Sequence, residues 1–285
     1  MDLKVGIQLY SVKEAMGKDP VEAVRQVAKV GYKNLEAANH RGNEDFGVGF
    51  GVDAAAFRGV LEETGTNVFC AHLSPFHEGN CREVIRYHQA IGNHRIANPM
   101  EFFTSKDDVL CKCEAYNKMG RICKEEGITY LYHNHFHEFQ QFEGKTVLDW
   151  ILENTDPDCL GFELDTFWAM RGGQDPIQVM KKLGSRLKLV HQKDYSKTPG
   201  KPVDCLAAIP DGAVIDMERF QSVFAPEDFT EIGTGVMDIQ RIIDTARELG
   251  SVEYIVLEQD CSAHPEMESI AISLENFRRY SGLIW

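Results

Sequence analysis

The feature that most constrains this chain is a rhythm: short apolar runs of strand character alternate with amphipathic helical segments along its whole length. Val5–Leu9 opens the series. A helix is expected over Pro20–Val30, where Val21, Val24, Val27 and Ala28 recur at helical spacing and Gly31 follows as a stop. The next pairs are Tyr32–Ala37 with Asp53–Thr64, Asn67–His72 with Cys81–Ile91, and the weaker His94–Asn98 with Asp107–Glu126. Asp53 reads as a cap, and Gly65, Gly92 and Gly127 as helix ends. Ile128–His135, Cys159–Asp165, Leu187–His191 and Tyr254–Glu258 supply the last four runs. Thr146–Glu153, Asp175–Leu183, Asp238–Leu249 and Glu266–Tyr280 are the helices that follow them.

Eight such pairs in 285 residues predict an α/β fold, a single-domain (β/α)8 TIM barrel over residues 1–285, in preference to a doubly wound sheet. One interval breaks the rhythm. Residues 195–229, between the seventh strand and its helix, are rich in Pro, Gly, Asp and Lys and read as an elaborated β7α7 loop rather than a second domain. Loops at that end overhang the catalytic face of a barrel, so this one is expected to act as a lid or an assembly element.

Charge and cysteine usage remove several function classes. A net charge of −14 argues against a nucleic-acid partner, which needs clustered Lys and Arg, but leaves room for a small anionic substrate. The 8 cysteines are scattered, with Cys111 and Cys113 as the one close pair, and no CxxC spacing occurs. Free thiols in a reducing cytoplasm are the plain expectation. Met1 to Ile7 enter a strand directly, without the charged and apolar regions of a signal sequence. No apolar run approaches the ~20 residues that span a bilayer, so no membrane partner is expected.

Four strand-like runs end in side chains that bind metals: His133, Asp165, His191 and Glu258. Side chains alternate across a strand, so Leu131, His133 and His135 share one face and Glu163 shares another with Asp165. Leu189, His191 and Lys193 form a third set, and Val256, Glu258 and Asp260 a fourth. A barrel mouth lined this way offers mixed nitrogen and oxygen ligation to one divalent ion, Mn²⁺, Co²⁺, Mg²⁺ or Zn²⁺, and the lack of thiolate disfavours a purely structural zinc. Taken singly, each residue has a plainer reading: a strand-end histidine can be a hydrogen-bonded rim residue, and Asp165 can cap the segment after it.

The combination of motifs carries more. Gly6-Ile7-Gln8-Leu9-Tyr10-Ser11, His133-Asn134-His135 with Glu138-Phe139, Asp165-Thr166-Phe167-Trp168, His191-Gln192-Lys193-Asp194, Gly233-Thr234-Gly235 and Glu258-Gln259-Asp260 resemble the xylose isomerase-like TIM-barrel superfamily. More narrowly they resemble its sugar phosphate isomerase/epimerase group, over essentially the full chain. That superfamily includes ketose 3-epimerases, hydroxypyruvate isomerases, inosose isomerases and dehydratases, and eliminating enzymes acting on oxidised sugars. In its ketose epimerases a Glu, an Asp, a His and a second Glu bind one divalent metal from strands five to eight. Asp165, His191 and Glu258 match the last three, and the resemblance implies one divalent metal, Mn²⁺ ahead of Co²⁺, Mg²⁺ or Zn²⁺. At the first position this chain departs: the family's Glu falls on His133.

The departure has chemical weight. The two metal-bound glutamates of those epimerases exchange a proton on opposite faces of the substrate. An imidazole can ligate a metal while neutral or act as a base, but rarely both together. Symmetric epimerisation is thereby weakened, and abstraction by one base, leading to isomerisation or β-elimination, gains.

Around this centre the catalytic candidates are Glu258, His135 and Lys193, the last holding an enolate, carboxylate or phosphate oxygen by charge. Its plainer alternative is pairing with Asp194 or Glu231. Glu138, Trp168, His72, Glu36 and Gln8 are candidate substrate contacts, with Trp168 stacking on a sugar face or walling the pocket. His137 is expected to face solvent. The functional expectation is a divalent-metal-dependent isomerase or epimerase acting on a keto-sugar or related polyol ketone. The alternatives are a lyase, a dehydratase or β-eliminase, on an inosose or 3-keto-glycoside, and a barrel that binds sugars without turning them over. An endonuclease for damaged DNA, also found on this fold, is disfavoured by the acidic charge. The expected partner is a small carbohydrate, and homo-oligomerisation is compatible with this reading.

Overall fold

Eight parallel strands close into a ring in the computed structural model, which describes residues 1–210 and 212–285. They are β1 (Leu3–Gln8), β2 (Asn34–Asn39), β3 (Asn67–Leu73), β4 (Arg95–Asn98), β5 (Thr129–His133), β6 (Gly161–Asp165), β7 (Leu187–Gln192) and β8 (Tyr254–Leu257). Each pairs with its neighbours in sequence, and β8 pairs back onto β1 to complete the barrel. The helices are α1 (Pro20–Val30), α2 (Ala54–Thr64), α3 (Cys81–Ala90), α4 (Lys106–Glu125), α5 (Val147–Asn154), α6 (Pro176–Leu183), α7 (Ile239–Leu249) and α8 (Glu266–Phe277). The predicted TIM barrel is therefore the observed fold.

Helix starts follow local chemistry. The carboxylates of Asp19, Asp53 and Asp175 accept the first free amides of α1, α2 and α6, with Pro20 and Pro176 in the first turns of α1 and α6. Outward-facing strand residues such as Phe162, Leu164 and Val190 pack with apolar helix faces in one large core. A second, smaller core lies inside the ring, where Phe69, Leu131, Leu189, Tyr254 and Val256 fill the lower layers. Two glycines make that filling possible. A Cβ on Gly6 would stand 2.7 Å from the Phe69 ring, and one on Gly161 would stand 2.8 Å from Leu131. Among the described residues no helix is long and apolar enough to cross a membrane.

Several short elements were not anticipated: helices at Lys13–Lys18, Thr166–Arg171 and Met217–Ser222, a hairpin of Gln141–Phe142 with Lys145–Thr146, and Leu283–Ile284 added beside β1. The fifth strand also stops at His133, two residues before its expected end. There the backbone leaves the sheet and the Asn134 side chain continues the ladder. Its Oδ1 accepts from Asp165 N at 3.0 Å and its Nδ2 donates to Asp165 O at 3.3 Å.

The β7α7 insertion is anchored at its base. Asp194–Tyr195 pairs antiparallel with Phe229–Thr230, so the segment leaves and re-enters at one place. Arg171, from the helix after β6, meets Asp228 at 2.8 Å, and neither side chain is exposed. Arg171 also donates to Val223 O at 3.0 Å, while Asp228 accepts amides from Lys201 and Ala225. These further bonds help offset the cost of burying the pair, although Arg171 Nε makes no hydrogen bond among the described residues. Around it Phe136, Phe167, Trp168, Tyr195, Phe220 and Phe229 form a further apolar cluster.

Candidate active site

At the carboxyl ends of the strands the barrel interior changes from apolar to ionic. Strand register puts Asp165 beside His191, and His133 beside Glu163. Register shifts fall at Leu35/Glu36 and Phe162/Glu163, where irregular pairing re-aims the two buried glutamates. Glu163, fully enclosed, is the hub: its carboxylate lies 2.5 Å from His72 Nε2, 3.1 Å from His133 Nδ1 and 3.2 Å from His191 Nε2. Glu36 sits 2.6 Å from His191 Nε2 and accepts from Gln8 Nε2 at 3.1 Å. On its other side His191 Nδ1 faces Glu258 at 2.9 Å.

Both nitrogens of His191 thus face carboxylates, an arrangement that favours the doubly protonated ring. Burial alone would push its pKa down, but Glu163 and Glu36 outweigh burial and hold it well above the usual histidine range. The same two glutamates raise His72 against burial. Glu163 is held well below the ordinary carboxylate range, since His191 and His72 overcome its own burial cost. His133 behaves oppositely: burial, with the charges of His72 and His191, lowers it to about 4. His135, half-buried, is also lowered, by burial and by its histidine neighbours.

One layer nearer the mouth lies a second cluster. Lys193 Nζ is 2.6 Å from Asp165 Oδ2, contacts Glu258 Oε2 closely, and is 3.6 Å from Asp260. Burial disfavours the ammonium, but the three carboxylates more than compensate and raise its pKa. Lys193 and His191 together outweigh burial at Glu258 and hold it well below the usual range. Asp260 is pushed up to about 7, mainly by burial. Asp165 serves twice, because its other oxygen accepts from Trp168 N at 2.8 Å and caps the Thr166–Arg171 helix. The capping reading and the cluster reading of this residue hold together.

Among the described residues three groups of side chains bring ligand atoms within 4.8 Å of one another here: His133, Asp165, His191 and Glu258; His72, His133, Glu163 and His191; and Glu36, Cys70 and Glu163. The first is the quartet expected from the strand ends. Its donor chemistry fits a divalent ion. Each imidazole has one nitrogen held by a buried carboxylate, Nδ1 of His133 by Glu163 and Nε2 of His191 by Glu36; the opposite nitrogens would ligate, His191 Nδ1 giving up its proton and its contact with Glu258 to do so. Lys193 bridges the two carboxylates of the quartet, so an ion there and the ammonium compete for Asp165 and Glu258.

Above the quartet opens a cavity of about 390 Å³, lined by Tyr10, Lys13, His40, His72, His133, His135, Glu258 and Asp260. Pro99, Met100, Trp168, Cys261 and four insertion residues, Met217, Phe220, Gln221 and Phe224, complete it. In the closed ring β8 stands across from β3 to β5, so the carboxylates of Glu258 and Asp260 face the imidazoles of His72, His133 and His135. A larger cleft, about 700 Å³, runs between the 141–146 hairpin and residues 206–210 and 212–215. Its charged lining residues Lys106 and Glu143 simply pair, at 2.7 Å.

The cavity takes up His72, His133, His135, Trp168 and Glu258 from the candidate set. Gln8, Glu36 and Glu138 are wholly enclosed and line none of it. Glu138 instead accepts from Tyr132 Oη at 2.7 Å and His135 N at 2.8 Å, fixing the turn that follows β5. His137 is buried rather than solvent-facing, because it pairs with Glu101 O at 2.7 Å and stacks beside Phe102. Lys193 pairs with neither Asp194 nor Glu231, since Asp194 is occupied by the amides of Gly233, Gly235 and Met237. The sequence reading missed Glu163 as a hub, although its position two residues before Asp165, on the same face, was the available signal. It also missed Phe220 and Phe224, for which a loop without periodicity gives none.

A (β/α)8 barrel with histidines and carboxylates gathered at the carboxyl ends of its strands defines a class of barrels with a metal-competent mouth. Within it, residues 24–280 match the family model described as xylose isomerase-like TIM barrel, and the chain belongs to that family. A relative is the inosose dehydratase of Clostridium beijerinckii, 23% identical over 264 residues, covering 84% of this chain and 81% of the relative. Among solved structures, a sugar phosphate isomerase/epimerase from Parabacteroides distasonis is 24% identical, with TM-score 0.74 over 99% of this chain and 96% of that one. The IOLI protein, solved with a bound zinc atom, is 13% identical, with TM-score 0.67 over 97% of each chain.

Proposed function

We propose that this protein is a divalent-metal-dependent enzyme that removes a proton next to the carbonyl of a small polyol ketone, a keto-sugar or inosose, and completes a β-elimination. The observation that carries this reading is the asymmetry of the cavity: carboxylates on the β8 side, imidazoles on the β3 to β5 side. His133, Asp165, His191 and Glu258 would hold the metal, with Mn²⁺ the first ion to test and Co²⁺, Mg²⁺ and Zn²⁺ next. When bound, the ion supplies Lewis-acid polarisation of the substrate carbonyl. Glu258 lines the cavity as an ionised carboxylate and takes the proton from the carbon beside that carbonyl. Lys193 orients Glu258 and Asp165 and lends positive charge where negative charge develops. Across the cavity His72, held protonated by Glu36 and Glu163, gives the departing hydroxyl the proton with which it leaves as water, His135 meets other ring oxygens, and the indole of Trp168 covers the ring.

The dehydratase name of the Clostridium relative supports elimination over simple isomerisation. Isomerisation or epimerisation shares the first step and differs in where the proton returns. It keeps support from the neighbour in Parabacteroides distasonis. The test is ¹H NMR in D₂O of the metal-loaded protein with a panel of ketoses, inososes and 3-keto-glycosides. Deuterium at the carbon beside the carbonyl, with a new enone signal, is the expected result. Deuterium with an epimer and no enone would select the isomerase reading, and no exchange across the panel would sink both.

A further inference from the structure

The cavity is larger than one sugar ring needs. A pyranose or cyclitol of about a dozen heavy atoms, packed at protein-like density, takes roughly 200 Å³, about half of the 390 Å³ present. The remaining space lies against a continuous aromatic surface. Ring centroids of Trp168 stand 5.5 Å from His135, 5.8 Å from Phe220 and 5.5 Å from Phe224, and Phe220 and Phe224 are 5.5 Å apart. Two of these rings come from the insertion, and with Met217 and Gln221 they line the side of the cavity that the barrel strands do not. The surface also holds polar groups without partners. Trp168 Nε1 and His135 Nδ1 are enclosed and make no hydrogen bond among the described residues. A buried indole N–H in a native protein ordinarily finds an acceptor.

We infer that this aromatic surface is a second binding subsite, built by the β7α7 insertion, and that the substrate is a two-ring glycoside. The keto ring sits over Glu258, His72 and His133, and a second ring packs between Phe220 and Phe224, which stand at 72° to each other, face-on to one and edge-on to the other, with an oxygen accepting from Trp168 Nε1. The inference rests on the proposed reaction only for what occupies the first subsite. The second ring is recognised by its apolar face and one acceptor oxygen, which an aryl group or another sugar can both supply.

The test uses glycosides that carry no ketone and so do not react: methyl β-D-glucopyranoside, phenyl β-D-glucopyranoside and cellobiose, titrated calorimetrically into the metal-loaded protein. At least one two-ring ligand is expected to bind ten times or more tighter than the methyl glycoside. Phenyl glycoside alone would mark an aryl subsite and cellobiose alone a sugar subsite. Phe220→Ala and the half-buried Phe224→Ala are each expected to close most of that gap, and ligand-induced change in tryptophan fluorescence should weaken with it. Equal affinities, no binding of any of the three, or a gap that survives both substitutions would overturn the subsite. The NMR exchange assay separates this from the reaction: exchange without a gap leaves the chemistry and removes the subsite, and a gap without exchange does the reverse.

Discussion

The floor and the wall of the cavity are made by opposite means. The floor is contributed by the strand ends and is ionic: Glu36, His72, Glu163, His191, Lys193 and Glu258 pair closely with one another, while Glu36 Oε1 and Glu163 Oε1 are buried without a hydrogen-bond partner among the described residues. The wall comes from the Thr166–Arg171 helix and the insertion and is aromatic, held by packing and by the buried Arg171–Asp228 ion pair. A charge buried in the floor is tolerated only because its neighbours compensate it, so the floor is rigid and intolerant of change. The wall gains its stability from area, which many side chains can supply. Chemistry is thus invested where geometry is fixed, and substrate breadth where it can vary.

Four experiments would break or sharpen that contrast. Glu258→Gln keeps the shape of the side chain and removes the base, so turnover should fall by ~10³-fold or more with the fold retained. Activity within tenfold of wild type would take Glu258 out of the mechanism. Next, Glu163→Gln leaves His72 and His191 with one uncompensated partner. A loss of roughly 3–5 kcal/mol in urea unfolding is expected, against less than about 1.5 kcal/mol for the volume-similar wall change Phe224→Leu. Similar costs for both would mean that the floor is no more tightly coupled than the wall.

Metal binding gives a smaller, saturable effect. Chelator-treated protein should lose activity, and Mn²⁺ at 100 times its dissociation constant should add about 2.7 kcal/mol of stability. His133→Ala should remove most of that gain. If the Mn²⁺ shift is the same in His133→Ala, the imidazole is not a ligand.

The smallest effect uses a histidine outside the cavity as a yardstick. His88 is fully buried, and burial outweighs the nearby Asp45 charge and lowers its pKa to about 4. The unfolded chain therefore binds its proton first. Stability from this residue is complete above pH 6.5, declines as pH falls, and is fully lost below about 4, with about 2 kcal/mol going between pH 7 and 5. His88→Gln should flatten the pH dependence by that amount, and an unchanged slope would show that His88 does not carry it. His72 and His191 differ in sign, because Glu36 and Glu163 raise them above the free value. The contribution of their ion pairs is complete below about pH 6.5 and is lost only as pH climbs through their raised values.

The floor was largely readable in the sequence because strand periodicity and strand ends are local properties. His133, Asp165, His191 and Glu258 each close a short apolar run, and four such runs on neighbouring strands meet at one place. Depth was not readable. Gln8, Glu36 and Glu138 carry the same kind of signal as His72, yet they lie a layer below the cavity or behind the turn after β5, and only the closed ring decides that. Glu163 was seen on the right face without its role, since sequence gives no distance to His72, 91 residues away. The wall could not be read at all. Phe220 and Phe224 sit in an aperiodic segment, brought to Trp168 by contacts such as Arg171 with Asp228, 57 residues apart.

The way the insertion is rooted has a consequence for how such barrels diversify. Because Asp194–Tyr195 lies against Phe229–Thr230, the residues between them form a detachable cassette whose two ends share one socket. Exchanging or shortening it asks nothing of the strand pairing, provided the replacement keeps a carboxylate for the buried Arg171 and an apolar cover for Phe167 and Trp168, and loop length itself adds little entropic cost. A lineage could therefore retailor what the pocket accepts by swapping one module, while the proton-handling centre beneath it is inherited intact.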